Sequence, residues 1–381
     1  LVLDQTASGS GADGARLRAT QDGVARLLSA LYGTGDTQPD LSVAVVPFAR
    51  SINVGTGSGA LLNTSGMPPG WSVNAWGGCV EARMTAGHDL TDDPPVTPPS
   101  RFRPFFWQST YRQVGTVRQG RCAEADSYPP QPGDRGDRYC FGDNDWGAPQ
   151  ALLDTNPGYS ALRGLGLGRG EAAGPNLLCA VAPLQALTAS RASVLQAVNG
   201  LVLPATSGGA SIVLGLQGAW YVLSPNWGGV WPNTAVAYGA RGVRKVVVLL
   251  SSGANGWLPQ SSFSPRVRAT AQGDGAELFY GPYGRAANWN GGRLTPPVTP
   301  GNRASGDAAL DSRMLAVCQA MRDRGIRIFV IGLDVPSEAA RALLQGCASG
   351  GNYYFESAGT GELERRFADV GNALTNLRLS Q

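Results

Sequence analysis

Asp4-Gln5-Thr6-Ala7-Ser8 places a carboxylate two and four positions ahead of short hydroxyls. Such a set suits a hard divalent cation such as Mg²⁺ or Ca²⁺, because one side chain supplies charge and two supply neutral oxygens at close range. A strand-ending turn is the plainer use of the same residues, since short motifs of this kind recur by chance. Acid–base chemistry has less to work with. The single histidine, His88, stands beside Asp89 in a Pro-rich stretch, and any Ser-His-Asp or Cys-His site would have to use it. No Gly-x-Ser-x-Gly elbow accompanies it, so His88 is expected to pack a loop and the chain is expected not to be an enzyme. Arg135-Gly136-Asp137 is taken as a chance tripeptide. Asp134, Asp137, Asp143, Asn144, Asp145 and Asp154 match no EF-hand spacing and are taken as a solvated acidic loop rather than a Ca²⁺ cage.

The elements that would position the first loop are legible. Residues 1–3, 41–48, 243–250 and 326–333 are short, β-branched and apolar without alternation, as strands covered on both faces are. A helix is expected over 15–32. Another carries Met314, Cys318 and Met321 on one face and stops at Gly325, and a last one carries Leu363, Phe367, Val370 and Leu374. Strands alternating with helices predict an α/β, doubly wound, mostly parallel sheet, which binds ligands beyond the carboxyl ends of its strands. Asp4 and Ser251-Ser252-Gly253 fall at that edge.

Two stretches break the rhythm, 56–175 and 254–303, dense in Gly, Pro, Trp and Tyr. They read as long loop insertions. Hydrophobic residues make up 43% of the 381 residues, enough for a sizeable core, and no apolar run approaches a bilayer-spanning length. The net charge of +3 includes no basic run or stripe, which gives no reason to expect nucleic acid. Cys79, Cys122, Cys140, Cys179, Cys318 and Cys347 are even in number and hold no Cys-x-x-Cys pair, so disulfides and an oxidising compartment are expected. The chain starts inside an apolar strand without Met, so a signal peptide or anchor is expected upstream of Leu1.

Residues 1–8, the helix at 15–32 and the strand at 41–48 resemble the opening of a von Willebrand factor A domain with its metal-ion-dependent adhesion site. Val45-Val46-Pro47-Phe48 with Ile52-Asn53-Val54, Trp76-Gly77-Gly78-Cys79-Val80-Glu81-Ala82-Arg83, and Gly174-Pro175-Asn176 with Cys179 and Leu187-Thr188 narrow the likeness. With Leu223-Ser224-Pro225, Cys318 before Gly325-Ile326, and Cys347-Ala348-Ser349 with Tyr354-Phe355, the chain resembles the TadG-like proteins of the bacterial tight-adherence (Tad, or Flp) pilus machinery.

The resemblance implies a von Willebrand A-like, Rossmann-like domain over 1–55 and 176–381, interrupted by 56–175 and, within the domain, by 254–303. In the fold so implied, Cys318 lies near Cys347, Cys122 near Cys140 inside the first insertion, and Cys79 near Cys179 at its base. The family pattern also implies five metal-ligand positions. Asp4, Thr6 and Ser8 keep three; Ala210 stands at the fourth, where a Thr is usual, and Ser252 at the fifth, where an Asp is usual. Ser211 and Ser252 are candidate substitute ligands. One carboxylate balances a divalent charge poorly, so no cofactor is the expectation, with weakly bound Mg²⁺ or Ca²⁺ as the alternative.

The function implied is that of a non-catalytic pilus component, periplasmic or at the cell surface, whose partners are other pilus components or a surface ligand. A membrane enters only through a helix upstream of Leu1. The alternative is a metal-dependent adhesin using a degenerate site. Non-reducing peptide mapping is expected to recover the six cysteines as three linked pairs; free thiols would overturn the oxidising compartment.

Overall fold

A computed structural model of the chain describes residues 1–6, 12–65, 67, 73–105, 112–116, 137–140, 179, 182–202, 210–233, 235–256, 280–285 and 303–379. In chain order the elements are β1 (Val2–Asp4), α1 (Asp13–Tyr32), β2 (Val43–Phe48), β3 (Ile52–Asn53), β4 (Cys79–Val80), β5 (Arg112–Thr116) and β6 (Asp137–Cys140). There follow β7 (Gln185–Thr188), α2 (Arg191–Asn199), α3 (Ile212–Leu223), β8 (Val246–Ser251), β9 (Tyr280–Gly281) and β10 (Gly284–Arg285). The chain ends with α4 (Arg303–Asp323), β11 (Arg327–Leu333), α5 (Glu338–Cys347), β12 (Tyr354–Ser357) and α6 (Thr360–Leu379).

The main sheet runs β12-β11-β8-β1-β2-β3-β4, with β7 also paired to β2. From β12 to β2 all pairings are parallel, and β3, β4 and β7 add antiparallel strands at one side. The class is α/β with a mixed, mostly parallel sheet flanked by helices. The four apolar runs are its central strands, and successive residues serve opposite faces as the pleat demands. Val2, Val46, Phe48, Leu249 and Val330 pack under α3, α4 and α5. Leu3, Val45, Leu250 and Ile331 pack under α1, α2 and α6. Gly325, at φ 76°, ends α4 in the left-handed conformation that suits glycine and turns the chain into β11.

α3 is buried from Ile212 to Val222 and has no polar face, Gln217 being a single buried amide, which removes the amphipathic signature of a surface helix. It approaches the sheet closely because Gly215 has no side chain. A Cβ there would stand 2.6 Å from Phe48 Cδ1 and 2.9 Å from Val2 Cγ1.

The first insertion is woven into this core up to residue 105, while β5 and β6 pair with each other in a separate two-stranded sheet. β4 joins the main sheet, Trp76 and Phe102 are buried, and the Cys79–Cys179 disulfide ties the segment's base across 100 residues. Arg83, 1% exposed, organises the loop that follows. Its Nη1 donates to the carbonyls of Asp93 (2.7 Å) and Ser100 (2.8 Å), and its Nη2 to those of His88 and Thr91 (3.2 Å each). The guanidinium also lies 4.4 Å from the Tyr221 ring and 4.9 Å from Trp227. Asp92 locks the same loop to the end of α3, accepting from Ser224 Oγ (2.5 Å), Asn226 Nδ2 (3.0 Å) and Tyr238 OH (2.8 Å). A second disulfide, Cys318–Cys347, joins α4 to α5. Cys122 lies outside the described residues, and with it the pairing to Cys140, as does most of 254–303.

Gly215→Ala forces a methyl against Phe48 and Val2 and is expected to destabilise the chain by about 1–3 kcal/mol, the usual cost of overpacking. Urea unfolding checks it: the midpoint falls with the slope unchanged.

Candidate functional site

From β1 the chain passes to β2 on one side, and only later does β8 pair on the other. This is the point where strand order reverses, and a crevice opens there beyond the carboxyl ends of the strands. Asp4 ends β1 within it. Its Oδ1 accepts the Thr6 N–H at 2.9 Å, and its Oδ2 accepts the Ser251 hydroxyl at 2.9 Å. Ser251, last in β8 and 1% exposed, is itself fixed because its Oγ accepts the Gly253 N–H at 3.2 Å. Gln5 pins the strand end to neighbouring segments: its N–H donates to Phe48 O (2.8 Å) and its Nε2 to Val202 O (2.7 Å).

The cleft is lined by Asp4, Thr6 and Ser251 and, from α1, by Asp13, Arg16 and Thr20, over a floor of Leu201, Leu250 and Leu333. It is about 20 Å³, room for a water but far below the several hundred Å³ of a small-molecule pocket. Thr6 Oγ1 is buried without a hydrogen-bond partner among the described residues.

Asp4 and Thr6 thus meet at the crevice. Ser8 lies outside the described residues. Ser211 is fully buried at the start of α3, where its N–H donates to Ala49 O at 2.7 Å, its Oγ has no partner among the described residues, and it does not line the cleft. Ala210 is buried beside it. Asn255 caps α3 instead, its Oδ1 accepting the Ile212 N–H at 3.0 Å while its Nδ2 donates to Asp311 at 2.9 Å. Burial pushes the Asp311 carboxyl above its ordinary range. The residue of the Ser251-Ser252-Gly253 turn that reaches Asp4 is Ser251; Ser252 does not line the cleft.

Sequence reasoning placed Ser251 at this edge but offered its neighbour Ser252 as the ligand, and it missed Asp13, Arg16 and Thr20. A signal existed for the last three, since positions i, i+3 and i+7 share one face of a helix. Nothing local set Ser251 apart from Ser252, because both read as the polar end of an apolar strand.

These donors are a poor fit to a tightly held divalent cation. Each Asp4 oxygen already accepts a hydrogen bond, from the Thr6 N–H or the Ser251 hydroxyl, the cleft has room for little more than a water, and Arg16 lines it alongside Asp13. Among the described residues no three His, Cys, Asp or Glu side chains gather as a metal cluster.

His88 sits on the loop that Arg83 organises, with Nδ1 3.1 Å from Asp93 Oδ2. Asp93 also accepts from Thr91 Oγ1 at 2.7 Å, and this bond is the main reason its carboxyl titrates below its ordinary range. Asp89 points away into the core, where Tyr283 OH (3.2 Å) and Arg313 Nε (3.5 Å) face it, and burial raises its pKa. The Arg135-Gly136-Asp137 tripeptide and the acidic positions from 134 to 154 lie outside the described residues, apart from the backbone of 137 in β6.

A scan of family models returns no match, and a search of curated proteins returns none. Among solved structures, the chain is similar to the pilus adhesin SpaC from Lactobacillus rhamnosus GG, at 14% identity and TM-score 0.41, over 98% of this chain and 30% of that one. It is also similar to the vWF domain of the type V pili tip protein Mfa5 from Porphyromonas gingivalis, at 11% identity and TM-score 0.41, over 98% of this chain and 93% of that one. The chain thus spans less than a third of SpaC.

Ser251→Ala removes the hydroxyl donor to Asp4 and is expected to cost about 1–2 kcal/mol. The loss should shrink when Asp4→Asn is added, since the two residues act on one bond. A double-mutant cycle by thermal unfolding measures this; additive losses would mean that the bond contributes nothing.

Proposed function

We propose that this chain is a non-catalytic binding domain of a bacterial surface pilus system of the tight-adherence (Tad, or Flp) type, working by protein–protein contact in assembly or adhesion. The motif resemblance that runs from Asp4 to Tyr354 supports the assignment to that system. One observation carries the mode of action. The Asp4 carboxylate, at the crevice where such sheets bind ligands, is closed by Ser251 and Thr6 over a water-sized cleft. A partner would therefore lie across this edge as a surface rather than enter a pocket or complete a metal shell. Two disulfides fit a periplasmic or surface location. Partners in this reading are other pilus components or an external surface ligand.

A second reading draws on Thr6 Oγ1, a buried oxygen without a hydrogen-bond partner among the described residues, on a residue that lines the same cleft as Asp4 and Asp13. In it Asp4, Thr6 and Ser8 hold Mg²⁺ or Ca²⁺ weakly, and a ligand carboxylate completes the shell.

Surface-resonance binding to isolated pilus filaments separates the two. The first reading expects equal binding in EDTA and in millimolar Mg²⁺. It also expects a loss of about tenfold or more, some 1.4 kcal/mol, in Ser252→Arg, which sets a long cation on the edge. Calorimetry with Mg²⁺, Ca²⁺ and Mn²⁺ is expected to give no heat. Ion heat that disappears in Asp4→Ala, together with EDTA-sensitive binding, would establish the adhesin reading instead.

A further inference from the structure

Asp93–Pro94 is the one Asp–Pro bond in the chain, and it lies on the loop that Arg83 organises. At such a bond a carboxylate sits within ring-closing reach of its own carbonyl carbon, and the leaving nitrogen belongs to a tertiary amide and departs as a basic secondary amine. Three groups are already arranged around it. The Asp93 carbonyl oxygen accepts from Arg83 Nη1 at 2.7 Å. Arg83 is 1% exposed, so this charged donor acts in a medium of low dielectric, where it polarises a carbonyl most strongly. The Asp93 side chain is held through one oxygen: Oδ2 accepts Thr91 Oγ1 at 2.7 Å and faces His88 Nδ1 at 3.1 Å. Its Oδ1 has no hydrogen-bond partner among the described residues, and the side chain, 53% exposed, is open to water.

Holding the loop explains why Arg83 satisfies carbonyls, and it does so at His88, Thr91, Asp93 and Ser100. Only at Asp93 does the polarised carbonyl carry a carboxylate on one side and a proline nitrogen on the other. Neighbouring Asp92 is the contrast, buried, with three donors on Oδ2 and no proline after it. The Thr91 hydrogen bond, with smaller help from His88 and Arg83 and against partial burial, keeps the Asp93 carboxyl below its ordinary range. The carboxylate therefore stays ionised, and nucleophilic, into the acid range where the proline nitrogen gains a proton most readily.

We propose that the folded chain cuts itself at Asp93–Pro94 in mildly acidic surroundings. Oδ1 attacks the Asp93 carbonyl carbon, and the charge that forms on the carbonyl oxygen faces Arg83 Nη1. The C–N bond then breaks as the Pro94 nitrogen takes a proton from solvent hydronium, which leaves a cyclic anhydride on Asp93 and a secondary-amine terminus on Pro94. Water opens the anhydride to two carboxyl groups, so the net change is the addition of one water. Thr91 and His88 are positioning residues, since they touch only the oxygen that does not attack. The two pieces remain joined, because Cys79 lies on one and its disulfide partner Cys179 on the other.

Incubation of the whole chain in mildly acidic buffer, followed by electrophoresis and intact mass measurement, tests the inference. Without reductant a single species heavier by one water is expected; with reductant it should separate into pieces ending at Asp93 and beginning at Pro94. The folded chain should cleave at least about tenfold faster than the same chain in urea at the same pH, a fraction of the roughly hundredfold that one donor at a developing oxyanion contributes. Asp93→Asn and Asp93→Glu should abolish cleavage, the first by removing the nucleophile and the second by enlarging the ring. In Thr91→Val the rate should stop rising with acidity at a higher pH, because the carboxylate is lost earlier. An intact chain under reduction, equal rates in buffer and urea, or unchanged cleavage in Asp93→Asn overturns the inference. An unmoved pH profile in Thr91→Val overturns the role given to that residue. Pilus binding at the Asp4 edge is independent of each of these outcomes.

Discussion

Parallel pairing on both sides of β1 is the constraint from which the rest follows. The strand is only three residues long, yet Val2 and Leu3 are wholly buried, one on each face, between β2 and β8. A strand so placed must be apolar on both sides, and its first polar residue must emerge where the neighbouring strands also end. That residue is Asp4. The same pairing puts Ser251 within hydrogen-bond reach of it and, at the other end of the strands, sets Lys245 next to Arg327. One geometric fact therefore decides which residues meet at both ends of the strands.

Around this sheet the chain uses buried charge to organise what lacks regular structure. Arg83 gathers four carbonyls and two aromatic faces, and Asp92 collects three donors from the end of α3 and beyond. Removing one partner of such a network leaves another charge or dipole unsatisfied in a low-dielectric interior, which makes the arrangement specific as well as stable. The loop from 85 to 100 is held to the back of α3 in this way, beside the long α4 that packs along the same helix.

The central strands were legible because a both-faces-buried strand has a composition of its own, and α4 and α6 because their apolar stripes repeat at helical spacing. Boundaries moved by only a few residues. α3 was not legible: with every side chain from 212 to 222 buried, its sequence has no polar face to set the period. β3, β4 and β7 are two to four residues long, too short for alternation to register; β3 pairs with β2 across a tight turn, but β4 and β7 pair with strands far from them in the chain.

At the site the division is finer. By itself the sequence determined that Asp4 would emerge from a buried strand into a ligand-facing loop, because apolar runs on either side of a polar break leave little choice. Only the tertiary structure decided that Ser251 and not its neighbour reaches Asp4, that Arg16 shares the cleft, and that Lys245 and Arg327, some eighty residues apart, meet at the starts of adjacent strands. The reason is physical. Which residue of a turn points inward is set by strand register, and which charges become neighbours is set by strand order; both are properties of pairing between distant segments, which no local pattern encodes.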